Sequence, residues 1–269
     1  MRRADVGSRR LLAVAVTVTS VAFVTACGAK QSAPPAATTA TTASTATTTT
    51  APTTTSTTVA STTTTVKARA SADVVLFPFA NLGEVAAWQA GYHDGGHEAW
   101  HLDASQTALA FARFLGYTSI TQALWQRTDA AGAHVAVGFV TEGTTTATAA
   151  VVHLVRYGSG SDVPWEVVGT DDDELMITTP AHGATVTSPL DVGGRISGVD
   201  ESIKVQVVQL HANGSLGTFC CVPAGGMGSP WHATVAFAHP TDPVLILSAS
   251  TGGHVQSVER FTVTGVRAG

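Results

Sequence analysis

The apolar positions along the chain change their period twice, and each change marks a border between kinds of structure. After residue 80, Val85, Trp88 and Tyr92 recur at intervals of three and four, the spacing of one helix face. Asn81 stands before them with Glu84 three positions later, a pairing that satisfies the free N–H groups of a first turn. This predicts a helix over 82–92. Asp103 and Gln106 repeat the arrangement, and Ala108, Phe111, Ala112 and Leu115 then line one face until Gly116 stops the run. A second helix follows.

Beyond Gly116 the period falls to two. Segments 122–128, 133–141, 146–157 and 165–169 alternate or are rich in β-branched residues, and Gly, Asp and Pro separate them. They predict a small α+β domain over 73–170, with two helices on one face of a four-stranded antiparallel sheet. The acidic run 169–174 reads as a linker. After it come seven short apolar runs, at 175–179, 190–195, 202–211, 217–222, 231–238, 244–250 and 255–266. Turn residues every eight to twelve positions make this an all-β sandwich over 174–267.

The order of helices before a meander resembles the cystatin and nuclear-transport-factor-2-like cones. The first segment also resembles the N-terminal half of uncharacterised actinobacterial lipoproteins, through Phe77, Pro78 and Phe79, Trp88, and the run from Trp100 to Asp103. The second segment is similar to the immunoglobulin-like domain of bacterial spore germination proteins. The residues that carry this are Ile177, Pro180, Gly183, Val186, Ser188, Pro189 and Leu190, then Gly193 and Gly194, and later Met227 to Trp231 with Phe237. That resemblance implies a seven-stranded immunoglobulin-like sandwich acting as an envelope interaction or spacer module, without catalytic residues.

The N-terminus changes where such a protein belongs. Arg2, Arg3, Arg9 and Arg10 precede an apolar run over 11–26, which is the layout of a signal peptide over 1–26. That run falls short of the ~20 residues a spanning helix needs. Val24, Thr25 and Ala26 before Cys27 resemble the lipobox of bacterial lipoproteins, which implies that Cys27 is acylated and becomes the mature N-terminus. The two arginines before Leu11 also resemble a twin-arginine export signal. From Gly28 to about Val66 the chain is almost entirely Thr, Ala, Ser and Pro, too polar to offset the entropy of ordering, so 27–72 reads as a disordered tether behind the lipidated cysteine. Fully extended it would reach ~120 Å. The expected location is the extracytoplasmic face of the cell membrane.

From residue 67 onward nine Lys and Arg stand against 18 Asp and Glu, a balance that excludes the basic footprint of a nucleic-acid binder. The partners expected are the membrane, through the anchor, and a cell-wall polymer or another exported protein. Cys220 and Cys221 are adjacent on one run. Three readings stay open for them: one core-facing and one exposed thiol, a vicinal disulfide acting as a redox pair, or pairing between chains.

One stretch spells an enzyme motif. His97, Glu98 and His101 match HExxH, in which two histidines one turn apart bind zinc and the glutamate activates its water. His93 or Asp103 could add a third ligand. The match lies after Gly95 and Gly96 and before the cap Asp103, which places it in the loop between the helices, where both side chains need not face one way. The expectation is therefore a non-enzymatic protein without a cofactor, with a zinc hydrolase built on Glu98 and the three histidines as its rival. Trp88, Trp100, Trp125 and Trp165 read as core anchors or a carbohydrate platform, and His134 and His153 as exposed sheet residues.

Overall fold

The computed structural model describes residues 74–269, so the signal peptide, Cys27 and the tether lie outside the described residues. Both helices start at the caps their spacing predicts. The Asn81 side chain accepts from the N–H groups of Gly83 and Glu84, and Glu84 accepts in return from the N–H of Ala80. Helix α1 (Leu82–Gly95) runs three residues past the expected end, and Gly96, at φ +69°, closes it by donating to the Tyr92 carbonyl. Asp103 accepts from the N–H of Gln106 and opens α2 (Ala104–Phe114).

Strands β1 (Gln122–Thr128), β2 (Ala133–Val140), β3 (Thr146–Arg156) and β4 (Trp165–Thr170) form an antiparallel sheet in chain order. Helix α2 packs on this sheet through Ala108, Phe111 and Ala112. Helix α1 instead docks over the β3–β4 connection, where Gln89 donates to the carbonyls of Ser159 and Asp162 and Val85 closes over Gly158. The expected pair of helices on one face is thus replaced by one helix on the sheet and one at its end. The helix at the end has its own apolar cluster, Phe79, Val85 and Trp88.

The second sheet holds β5 (Leu175–Thr179), β6 (Thr185–Val186), β7 (Leu190–Val208), β8 (Ser215–Val235), β9 (Val244–Thr251) and β10 (Arg260–Ala268). Two pairs of expected strands are merged here, because the stretches between them stay paired through bulges within β7 and β8 instead of turning back. Two of the register shifts lie between Ile196 and Glu201, and across them β7 changes its second partner from β5 to β9. Strand β6 runs parallel to β10. The result is a β-rich, sandwich-like fold around Leu175, Val192, Ile203, Val205, Leu245 and Leu247.

Strands β9 and β10 serve two cores. Leu245, Leu247, Ala249 and Val266 face the sandwich interior, whereas Ile246, Phe261 and Val263 face α2 and the first sheet. A polar chain crosses the same boundary. Gln206 donates to Tyr117 Oη at 3.2 Å, Tyr117 bonds Ser248 Oγ at 2.7 Å, and Ser248 donates to the Thr262 carbonyl. Arg260 holds the acidic connection down through Glu174 and Asp172. Because these contacts join both segments, unfolding in denaturant should be a single transition. Tyr117→Phe, which leaves buried Ser248 and Gln206 short of a partner, should cost about 1–2 kcal/mol without changing the denaturant slope; two separated transitions in the wild type would contradict the shared core.

Candidate functional site

The helical frame that HExxH needs stops before the motif begins. Helix α1 ends at Gly95, Glu98 adopts the left-handed region (φ 57°, ψ 41°), and only Ala99–Leu102 turn again, as a 3₁₀ segment. His97 and Glu98 are exposed, and His93 is exposed beside Asp162 at 3.5 Å. His101 points the other way, 3 % exposed, with its ring 3.7 Å from that of Trp100, 4.8 Å from Phe79 and 5.0 Å from Trp88. His93, His97, Glu98 and His101 thus form no three-donor group.

Burial sets the chemistry of this corner. Loss of solvent lowers the His101 pKa to about 4, against an opposing effect of Glu98, whose carboxylate is 3.8 Å away. Glu166 on β4 is fully buried and accepts from the Phe79 N–H at 3.3 Å, and burial drives its pKa well above the usual carboxylate range. His101 Nδ1, Trp88 Nε1 and Glu166 Oε1 are all buried without a hydrogen-bond partner. Nothing in the periodicity pointed to Glu166, since a charged residue on a strand reads as solvent-facing. Of the four tryptophans, Trp88 and Trp165 sit in separate cores and Trp125 is exposed, so they form no common platform.

A second constellation lies on the first sheet. His134 of β2 and His153 of β3 are directly opposed, so both rings leave the same face and stack, with centroids 4.6 Å apart. Asp171, just after β4, is held by its N–H to the Val151 carbonyl, and its two carboxylate oxygens face the Nδ1 atoms of the two rings, in contact with His134 and 3.6 Å from His153. The ligand atoms of the three residues lie within 4.8 Å of one another, a set that could hold a metal ion. His134 is buried, not an exposed sheet residue, and His153 is half-buried.

His153 also lines a groove of about 370 Å³ between the sheets. The groove runs along 168–170 of β4, 176–178 of β5 and 262–264 of β10, with His182 at its side. Thr170, Thr178, Thr262 and Thr264 give it hydroxyl groups, and Met176, Ile177 and Val263 give it apolar surface. Elsewhere, Cys220 and Cys221 are bonded to each other on β8 with both residues exposed, so neither is a core-facing thiol. Among the described residues no helix is long and apolar enough to cross a membrane.

Comparison with protein-family models, with curated proteins and with solved structures found no match to this chain. The described residues form a β-rich, sandwich-like fold with two helices, an intersheet groove and a His–His–Asp cluster beside it.

His101 and Glu166 should bend the stability profile in opposite directions. Folded His101 stays neutral to about pH 4 while the unfolded residue protonates near 6.5, so its share of stability is lost as pH falls through that window, by on the order of 3 kcal/mol in full. Folded Glu166 stays protonated while the unfolded residue ionises near 4.5, so stability falls as pH rises above that value. Melting curves of His101→Phe should lose the acid slope, and those of Glu166→Gln should lose the slope above pH 4.5. Profiles that match the wild type would show that neither group titrates differently on folding.

Proposed function

We propose that the protein is a non-enzymatic lipoprotein of the cell envelope, anchored by acylated Cys27 on the extracytoplasmic face and carrying a binding module on a long tether. The finer architecture belongs to this reading: an α+β part with α2 on its sheet, followed by an immunoglobulin-like sandwich in which β7 crosses between partners. The observation that carries the binding role is the groove of about 370 Å³ between the sheets. A lining that alternates threonine hydroxyls with Met176, Ile177 and Val263 suits a ligand with both hydroxyl groups and apolar faces, as in a wall polysaccharide. The excess of acids beyond residue 67 favours a neutral or cationic polymer over an anionic one.

Two measurements test the two halves of this proposal. Cys27→Ser should move the protein from the membrane fraction to the soluble exported fraction and remove the acyl mass; retention in the membrane would sink the anchor. The full-length chain in detergent should co-sediment with purified cell-wall polymer. Thr178→Trp, an exposed position on the groove wall, should weaken that binding at least about tenfold, an energetic cost of ~1.4 kcal/mol. Equal binding by the variant would remove the groove from the proposal.

A further inference from the structure

The His–His–Asp cluster has a feature that its hydrogen bonds alone do not satisfy. His153 Nε2 lies 3.3 Å from the Ala131 carbonyl, an atom that can only accept, so the ring proton belongs on Nε2 and the lone pair on Nδ1. That lone pair faces Asp171 Oδ1 at 3.6 Å. His134 is arranged differently, since its hydrogen bond is made by Nδ1, to Asp171. Its Nε2 is buried without a hydrogen bond and faces Asp129 Oδ2 at 3.4 Å, while Nδ1 meets the other oxygen of Asp171. One carboxylate thus faces the Nδ1 atoms of both rings, the buried Nε2 of His134 is left without a hydrogen bond, and three ligand atoms converge within 4.8 Å of one another.

We propose that Nδ1 of His134, Nδ1 of His153 and the Asp171 carboxylate bind one divalent first-row transition ion of the zinc class. Two imidazole nitrogens with one carboxylate suit such an ion, whereas calcium and magnesium take oxygen ligands. Three donors within 4.8 Å of one another reach the ~2.0–2.2 Å bond lengths of zinc by side-chain adjustment of under about 1 Å. The outer contacts are those of a metal site: one histidine directs its second nitrogen to a carboxylate, Asp129, and the other to a backbone carbonyl, Ala131. Both of these come from the β1–β2 turn. Asp129 Oδ1 accepts from the Ala131 N–H, and a side chain on Gly132 would come within 2.1 Å of the Leu154 carbonyl, so the turn is held against β3. Arg127, 3.7 Å from Asp129 Oδ2, is the one other charged group paired with this set among the described residues.

Three protein donors leave a coordination position open, and half-buried His153 is shared between the donor set and the groove lining. Ion binding does not rest on the groove holding a polymer. The test uses the full-length chain in detergent, stripped with a chelator, with zinc titrated by calorimetry and cobalt(II) by its visible absorption. The expected result is one equivalent of zinc per chain and a cobalt spectrum of nitrogen and oxygen ligation. His153→Ala and Asp171→Asn, both at solvent-accessible positions, should weaken binding by more than about 100-fold, and Asp129→Asn by about 10–100-fold. Thr178→Trp should keep the full equivalent, which separates this site from the polymer reading. Absence of saturable zinc binding in the wild type, unchanged affinity in His153→Ala, or loss of the ion in His97→Ala would each overturn the assignment.

Discussion

Two adjacent strands, β9 and β10, are buried on both faces, and the rest of the fold is arranged around that requirement. A strand pair sealed on both sides needs apolar residues on both faces, which Val244 to Leu247 supply in β9, and which Phe261 and Val263 on one face and Val266 on the other supply in β10. The polar groups that remain inside must be bonded, and the chain from Gln206 through Tyr117 to Ser248 and Thr262 meets that need at the boundary between the cores. Helix α2, the first sheet and the sandwich are therefore parts of one compact unit. The acidic stretch between them is not a free linker, since Arg260 ties it to β10.

That joint creates the groove and sets the cluster beside it. The end of β4 lies against β10, where Thr170 bonds both the Thr262 hydroxyl and the Val263 N–H. Past this contact the chain leaves the sheet, and Asp171 emerges where the two histidines of β2 and β3 can reach it. His153 faces the cluster and the groove at once. The groove, the donors and the turn that orients them follow from how one sheet edge meets the neighbouring sheet.

The contrast with HEAWH is instructive, because there the donor residues are close in sequence and apart in space. A glycine pair and a left-handed glutamate break the frame, and one imidazole turns into an aromatic cluster while the other stays in solvent. Burial of His101 and of Glu166 around Phe79 leaves polar atoms without partners in a low-dielectric corner. Neutral forms are favoured for both groups, and the corner is tied to stability through pH.

Local signals in the sequence determined much of the scaffold. Side-chain caps at Asn81 and Asp103 act within three residues, so both helix starts were legible, and β1 and β5 begin and end where their alternation does. The break in HEAWH was legible for the same reason, from two glycines and a cap. Only the tertiary structure decided that β7 and β8 bulge where turns were expected, that α1 leaves the sheet face, and that Glu166 is sealed inside. It also decided the His–His–Asp cluster. Continuing the register in which Gly138 faces Thr148 would set His134 opposite Val152 and turn His153 to the other side of the sheet. A one-residue shift between Val137 and Gly138, where a side chain on Gly138 would come within 1.9 Å of the Ala147 carbonyl, pairs His134 with His153 instead. Register is a property of two strands and the core they share, and no window along one strand contains it.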